Sequence, residues 1–308
     1  MPGSRPDLRH LLIAGVAAVA SPLAWVPPAR LRAIPWRRAR SMSLRLLNQV
    51  LMRRPRDFVV ACADGQKIKG NTRDIIQRYV YVFGEWEPNL TAWLRSNLPR
   101  GSVVVDVGAN VGYFTLLTSR LVGPEGRVIS VEALPSTVRH LEANVELNGM
   151  PNVEVKPFAL GDREGHVEAF RAESTNVGAS SVGSGTHSEG WVPMMKLDDA
   201  VTMRDAQRVG FIKIDVEGAE EAVLSGARQT LANVPSGSAI LVEARSRTSD
   251  ASGFDWLEEY FPPQRFEVAV VPNSYSARSY CERTLEEPVA VERAELGVRQ
   301  ADLLFVRR

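Results

Sequence analysis

The sequence has only two cysteines, Cys62 and Cys281, and neither belongs to a CxxC pair. This scarcity excludes a disulfide framework and a cysteine-ligated metal site, and it is consistent with a reducing compartment. An uninterrupted membrane-length apolar run is also lacking. Residues 11–26 form an apolar run of only about 16 residues, broken by Pro22, whereas a bilayer span needs roughly 20. We find no internal repeat.

Acidic residues are almost absent from the first 56 positions, which hold eleven arginines and one acid, Asp7. The remaining residues, 57–308, carry 26 basic and 35 acidic side chains, a net charge of −9. Nucleic-acid binding needs a basic face, so an acidic body argues against a nucleic-acid substrate. The charge pattern therefore predicts an acidic catalytic part preceded by a basic extension.

The chain is organised around residues 103–132, VVVDVGANVGYFTLLTSRLVGPEGRVISVE, which read as strand, tight turn, helix and strand. This order predicts the first unit of a doubly wound α/β fold, whose first crossover faces a nucleotide-like ligand. Gly108 and Gly112 are expected to let the backbone bend and a ligand approach. Asp106 is placed to reach an ammonium group or a water, and Glu132 to reach ribose hydroxyls.

The turn lacks the second glycine of a dinucleotide fingerprint, because Asn110 stands where G-x-G-x-x-G has that glycine. The site therefore suits a cofactor with a ribose and a charged amino-acid end but no pyrophosphate. That description fits S-adenosylmethionine. A turn whose glycines serve packing alone is the alternative interpretation.

Further apolar segments predict the remaining strands of the sheet, at residues 153–160, 211–215, 239–244, 266–271 and 303–306. The last of these is expected to pair antiparallel with the one before it. Asp162 follows the first of these segments, where it would accept a hydrogen bond from an adenine amino group or serve only as a turn residue. Glu87, in a break between two helical patterns, would meet the cofactor's amino group or be a solvated charge at a helix end.

Four side chains are candidates for accepting a proton from a hydroxyl substrate. Asp215 ends a central strand at the carboxyl edge, where open α/β sheets bind ligands, and Glu217 follows it. Glu243 and His187 are the second choices; His187 belongs to the Gly- and Ser-rich stretch 174–190, predicted to be a substrate loop or disordered. A second hypothesis has Asp215 and Glu243 holding Mg²⁺, but oxygens from two strand ends are only suggestive, and no metal ligands are assigned.

Seven short segments together resemble the FkbM family of S-adenosylmethionine-dependent methyltransferases. They are FGEWEP (83–88), DVGANVGYFTLL (106–117), VEALP (131–135), NVELN (144–148), ALGD (159–162), KLDD (196–199) and IKIDVEGAE (212–220). The resemblance implies a Rossmann-like class I methyltransferase fold: a seven-stranded, mostly parallel sheet with helices on both faces and an antiparallel last strand. It also implies O-methylation of a small-molecule, sugar or secondary-metabolite hydroxyl, with Asp106, Gly108, Asn110, Gly112 and Glu132 at the cofactor.

These observations divide the chain into an extension (1–56), a strand and helix lead-in (57–100) and the cofactor-binding methyltransferase domain (101–308). The expected location is the cytoplasm. Peripheral contact of residues 11–56 with the inner membrane face is weighed equally against a disordered arm or a start at Met42. A signal peptide, suggested by Arg5, Arg9 and Ala18-x-Ala20, ranks lower. Two alternatives stay open for the whole chain: a non-catalytic S-adenosylmethionine-binding protein recruited to membranes, and a nicotinamide-dependent oxidoreductase.

Overall fold

The computed structural model describes residues 27–34, 37–172, 181–183, 185, 187–247, 251–282, 285–290 and 300–308. The apolar run 11–26 and most of the 174–190 stretch lie outside these residues. The α-helices are α1 Pro28–Arg32, α2 Arg37–Arg53, α3 Ile75–Phe83, α4 Pro88–Asn97, α5 Tyr113–Val122, α6 Pro135–Asn148, α7 Leu197–Ala200, α8 Met203–Ala206, α9 Glu220–Ser225, α10 Arg228–Asn233 and α11 Ala277–Glu282. The strands are β1 Asp57–Ala61, β2 Lys67–Asn71, β3 Val103–Val107, β4 Arg127–Val131, β5 Val153–Lys156, β6 Ala159–Leu160, β7 Gly165–Arg171, β8 Ser181–Val182, β9 His187–Met195, β10 Val209–Ile214, β11 Ala239–Arg245, β12 Phe266–Val271, β13 Val289–Ala290 and β14 Gln300–Arg307. A 3₁₀ helix covers Ala251–Glu259.

The central sheet has the order β13-β12-β14-β11-β10-β3-β4-β5. The five strands from β11 to β5 are parallel to their neighbours, whereas β14 runs antiparallel to both β11 and β12. Apart from the two-residue edge strand β13, this is the predicted seven-stranded class I methyltransferase sheet. The predicted fold class is confirmed, including the antiparallel last strand.

The central strands are apolar on both faces because helices cover both sides of the sheet. Successive residues of a strand point to opposite faces, so Val104 packs in one core layer while Val103, Val105 and Val107 pack in the other. The first layer contains side chains from α2 to α5, and the second contains side chains from α9, α10 and the 3₁₀ helix. The sheet is therefore buried between two layers.

A second sheet of four short strands, in the order β6-β9-β7-β8, follows β5. The sequence predicted one strand over residues 153–160, but the chain leaves the central sheet after Lys156, and Ala159–Leu160 pairs with β9 instead. The stretch 174–190 was predicted to be a loop, yet Ser181–Val182 and His187–Met195 are strands. Both predictions missed that these short segments pair with one another in a sheet of their own.

The lead-in segment, residues 57–100, forms the hairpin and the two helices that its turn and capping residues predict. The hairpin β1-β2 turns at Gly65, whose φ is +84°. Asp74 caps α3 by accepting a hydrogen bond from the backbone N–H of Gln77 at 2.9 Å, and Gly84 ends that helix with φ +86°. The predicted break between two helices is confirmed. Among the described residues, no helix is both long enough and apolar enough to cross a membrane.

Candidate active site

A cavity of about 430 Å³ opens at the carboxyl ends of β3, β4, β10 and β11. Its volume is within the range of roughly 300–1,000 Å³ that is usual for small-molecule and cofactor sites. Because β3 lies between β4 and β10, the chain crosses to both faces of the sheet there, which leaves a crevice between the connections. One end is lined by Val131, Glu132, Leu134, Phe158 and Leu160, and the other by Trp86, Glu87, Lys213, Asp215, Glu243, Tyr275 and Gln300.

The turn after β3 forms the cavity floor, and its positive φ angles are +81° at Gly108, +50° at Asn110 and +94° at Gly112. The glycines were expected to make room for a ligand. The structure gives another reason, since a Cβ on Gly108 would stand 1.8 Å from the carbonyl oxygen of Asp215, and one on Gly112 would stand 2.6 Å from Leu141 Cδ1. A glycine is required at position 108 because the backbone just after β10 lies against it. Gly108 therefore serves close packing as well as the shape of the turn.

Glu132 holds the shape of this turn. Its Oε2 accepts a hydrogen bond from the backbone N–H of Asn110 at 2.9 Å, and its Oε1 accepts one from the N–H of Leu134 at 2.9 Å. Burial raises the pKa of Glu132, while these backbone hydrogen bonds oppose that rise. A third hydrogen bond comes from the backbone N–H of Ala133, so the carboxylate ties the loops after β3 and β4 together and keeps one lone pair for a ligand hydroxyl.

Asp106 is buried at the end of β3 and also lines the cavity. Its Oδ2 accepts a hydrogen bond from Thr115 Oγ1 at 2.6 Å, and the same hydroxyl lies 2.9 Å from Ser130 Oγ. Burial raises the pKa of Asp106, although Lys213 and Thr115 counteract it. Asp106 thus fixes the first turn of α5 against β3 and β4 with one oxygen.

The other end of the cavity contains a residue that the sequence analysis did not single out. Lys213 is buried, and its Nζ lies 2.5 Å from Asp215 Oδ2. Burial alone would lower the pKa of Lys213, but the carboxylates of Asp215, Glu87 and Asp106 raise it. A signal was available in the sequence, since a lysine two residues before Asp215 falls on the same face of an otherwise apolar strand.

Asp215 directly follows β10, Glu243 lies near the end of the adjacent parallel strand β11, and the two side chains share a hydrogen bond. Burial and the neighbouring Asp215 charge raise the pKa of Glu243 to about 10, so that Glu243 carries the proton of the pair. Burial opposes ionisation of Asp215 too, yet Lys213 holds the pKa of Asp215 below its usual value. The Gln300 side chain also donates to Glu243. The pair therefore consists of one carboxylate and one carboxylic acid at neutral pH.

Glu87 faces this pair from the break between α3 and α4. It is a buried non-glycine residue with φ +41°, and burial raises its pKa to about 8 despite the nearby Lys213. The backbone N–H of Glu87 donates to Tyr280 Oη at 3.1 Å. Next to it, the ring of Trp86 stacks on Tyr275 with centroids 5.1 Å apart. An acid and an aromatic pair thus form one wall.

The structure does not bring two of the predicted residues to the cavity. Asp162 is exposed beside Arg163, with 3.5 Å between the charged atoms, and His187 lies exposed in β9 opposite Arg171 of β7. Asp162 lies in the turn between β6 and β7 and His187 begins β9, and neither is among the residues that line the cavity. Glu217 does line the cavity, where it pairs with Arg245 at 2.6 Å.

The carboxylates do not suit Mg²⁺. One oxygen of Asp215 faces the Lys213 ammonium, and Glu243 keeps a proton that it shares with Asp215. A divalent cation needs deprotonated oxygen ligands and would be repelled by the lysine. Among the described residues, no group of three or more His, Cys, Asp or Glu side chains is arranged to hold a metal ion.

The sequence model of a protein family, the methyltransferase FkbM domain, matches residues 106–276, more than half of the chain. The chain belongs to this FkbM family. Among curated proteins, it is 29% identical over 149 residues to "Methyltransferase 1" of Beauveria bassiana, covering 42% of this chain and 59% of that protein. It is 31% identical over 94 residues to a protein-L-isoaspartate O-methyltransferase of Caenorhabditis elegans, covering 30% and 42%. The chain thus spans about half of the length of these relatives.

Among solved structures, the FkbM chain is similar to the methyltransferase FkbM from Methylobacillus flagellatus. The two are 16% identical with a TM-score of 0.44, over 75% of this chain and 52% of that one. The family match begins at Asp106 and includes the turn, Glu132, Lys213, Asp215 and Glu243. Glu87 and α2 lie before it.

Proposed function

We propose that this FkbM-family chain is an S-adenosylmethionine-dependent methyltransferase that methylates a hydroxyl of a small molecule, a sugar or a secondary metabolite. One observation carries the proposal: a single cavity runs along four strand ends and has two chemically different ends. One end has apolar walls beside Glu132, and the other combines Lys213 with Asp215 and Glu243. The family match to a methyltransferase domain supports the same reaction class.

The residues of the first end suit the parts of S-adenosylmethionine. We assign Glu132 to the ribose hydroxyls, since ribose offers hydroxyl donors and the carboxylate has a lone pair left. Phe158 and Leu160, which line the same end, offer apolar surface to an adenine. Asp106 and Glu87 also line the cavity, and a carboxyl oxygen of each can accept a hydrogen bond from an ammonium group. Bound there, the cofactor supplies a methyl group on a positively charged sulfur.

The second end is proposed to hold the acceptor hydroxyl. As the hydroxyl oxygen takes up the methyl group it becomes strongly acidic, and its proton must leave. Asp215 is the proposed acceptor of this proton, because Lys213 keeps it ionised. A carboxylate of low pKa is sufficient for so acidic a proton. Glu243 holds Asp215 in place by the shared hydrogen bond, and Glu217, which pairs with Arg245, is the alternative proton acceptor.

Positioning supplies most of the rate in this proposal. Methyl transfer needs the acceptor oxygen close to and in line with the methyl group, and such alignment is worth roughly 7–11 kcal/mol. The stacked rings of Trp86 and Tyr275 provide a flat wall on which an acceptor can be oriented.

Calorimetry with S-adenosylhomocysteine, S-adenosylmethionine and NAD tests the cofactor. We expect micromolar binding of the two sulfur compounds and none of NAD. Glu132→Gln should weaken binding at least tenfold, since it removes the charge that accepts from ribose and turn, whereas Asp162→Asn, outside the cavity, should leave it unchanged. Absence of binding by the wild type would overturn the proposal.

Turnover is tested separately, by release of S-adenosylhomocysteine with a panel of hydroxyl-bearing sugars and metabolites. Tight cofactor binding together with methylation of a hydroxyl supports the proposed enzyme. Transfer to amines or thiols alone would contradict the O-methylation. Binding without transfer to any acceptor would favour the non-catalytic alternative.

A further inference from the structure

Helix α2 has one face that belongs to the protein core. Leu44, Leu47 and Leu51 are at most 4% exposed, and they join the core layer that contains Val104. Asn48, on the same side, accepts a hydrogen bond from the buried Arg78 at 3.1 Å. The helix is therefore anchored in the domain, and its orientation is set by these contacts.

The opposite face of α2 is exposed, and its side chains are regularly spaced. It consists of Arg38, Met42, Arg45, Gln49 and Met52, which we call the α2 stripe. Their alternating spacing of four and three residues places them along one line on the helix. Met42 is 70% exposed and Met52 is 55% exposed, so two large apolar side chains stand in solvent between arginines.

The charge of this region has a single sign. Residues 27–56 contain nine arginines and no acidic residue. No ion pair to another described residue involves Arg38 or Arg45, while elsewhere the chain pairs exposed arginines such as Arg228 and Arg247 with glutamates. The positive charges of the stripe are therefore available to bind a partner outside the described chain.

We infer that the α2 stripe is a docking surface for an anionic lipid bilayer. Arginine guanidinium groups bind lipid phosphates in the headgroup layer, and the flexible apolar methionines enter the acyl boundary. The sequence immediately before the described chain supports this partner, since residues 11–26 are almost entirely apolar. A nucleic acid, which is bound mainly through its phosphates, would leave the two exposed methionines in the same line without an apolar partner.

The surface is connected to the acceptor end of the cavity. Helix α2 packs against α11, where Cys281 Sγ donates to the backbone carbonyl of Ser41 at 3.6 Å. Helix α11 begins two residues after Tyr275, which lines the cavity. The helix that carries the stripe therefore packs against the helix that follows the acceptor wall.

The test is co-sedimentation of the full chain with vesicles of phosphatidylcholine alone or with about 30% phosphatidylserine. We expect binding only to the anionic vesicles. Arg38→Gln/Arg45→Gln should weaken it about thirtyfold, which corresponds to about 2 kcal/mol at 1.4 kcal/mol per tenfold and about 1 kcal/mol per arginine. Raising the ionic strength from about 0.1 M to about 1 M shortens the screening length from about 10 Å to about 3 Å and should weaken binding as well.

Matched controls separate the stripe from general surface charge. Arg139→Gln/Arg204→Gln removes the same charge from exposed positions on α6 and α8 and should leave binding unchanged. Met42→Ser/Met52→Ser should weaken binding, whereas Leu147→Ser/Met203→Ser, which removes other exposed apolar side chains, should not. Thermal unfolding of every variant checks the fold, since surface changes of this kind cost within about 0.5 kcal/mol.

Three results would overturn the inference. They are no binding of the wild type to anionic vesicles, unchanged binding of both stripe variants, and equal loss in the matched controls. Stronger binding to RNA than to vesicles would instead assign the surface to a nucleic acid. None of these variants alters a residue of the cavity, so their results are independent of the proposed methyl transfer.

Discussion

Lys213 Nζ lies 2.5 Å from Asp215 Oδ2, two residues apart on one strand and both at the cavity. Lys213 is only 4% exposed, and besides Asp215 the carboxyl groups of Glu87 and Asp106 raise its pKa. A buried ammonium is retained only where carboxylates compensate for its lost hydration. This lysine therefore determines which acid of the cavity is ionised.

Lys213→Met should destabilise the chain by about 3 kcal/mol or more, because it leaves Asp215 charged and unpaired in a buried site. The matched change is Arg228→Met, which breaks an ion pair to Glu259 whose side chains are both at least half exposed, and it should cost at most about 1 kcal/mol. Chemical denaturation measures both. Equal effects of the two substitutions would contradict the role assigned to Lys213.

Asp215→Asn should lower kcat by about a hundredfold to ten-thousandfold, the usual contribution of a positioned general base. The affinity for S-adenosylhomocysteine should change much less, since the cofactor contacts proposed for Glu132 and Asp106 stay intact. Glu221→Gln, which alters an exposed pair with Arg247, is the control and should leave kcat unchanged. Steady-state kinetics and calorimetry on the same preparations separate the two effects. Full activity of Asp215→Asn would remove Asp215 from the mechanism.

Gly108→Ala should destabilise the fold more than Gly149→Ala. Both glycines have positive φ, +81° and +58°, so an alanine costs about 1–2 kcal/mol in either turn. Only at Gly108 would the new Cβ meet backbone, 1.8 Å from the Asp215 carbonyl oxygen, while nothing lies within 4 Å at Gly149. Overpacking adds about 1–3 kcal/mol or more at Gly108. Thermal unfolding measures the difference, and equal stability of the two variants would refute the packing requirement.

Stability should fall with rising pH because of Glu243. Its pKa is about 10 in the folded chain but about 4.3 when unfolded, so between these values the folded state binds more protons. The free energy of unfolding then decreases as pH rises through that window. Glu243→Gln cannot ionise, and its stability relative to the wild type should increase between pH 5 and pH 8 by more than about 1.4 kcal/mol, the value of one pKa unit.

The control for this pH dependence is Glu146→Gln, an exposed position on α6. Its stability relative to the wild type should be the same at both pH values. Denaturation series at each pH provide the comparison. A constant difference between Glu243→Gln and the wild type would show that Glu243 ionises normally in the folded chain.

Local patterns were sufficient for much of the fold. Apolar runs that end in Asp106, Glu132 and Asp215 predicted parallel strands, because strands buried on both faces consist mostly of apolar residues. Parallel strands have their carboxyl ends at the same edge of the sheet, so these acids were expected there. Turn glycines and the Asp74 cap likewise act through their immediate neighbours. Local patterns were not sufficient at residues 153–190. The strands there are two to nine residues long and are stabilised by pairing with one another, which local patterns do not show.

The sequence predicted only some of the residues that line the cavity. Asp215 and Glu243 were named as candidates, but the sequence could not show that Lys213 and a shared proton fix their charges, because these depend on distances between separate strands. Asp162 and His187 had suitable chemistry, but both are exposed and lie outside the cavity lining.

What the sequence determined by itself was the alternation of strands and helices, the glycine turn and the family, because periodicity and local backbone needs are encoded in neighbouring residues. Tertiary structure alone decided which acids meet, which one keeps its proton, why Gly108 must lack a side chain, and which face of α2 remains exposed. These properties depend on contacts between residues far apart in the chain, and burial then sets their energies.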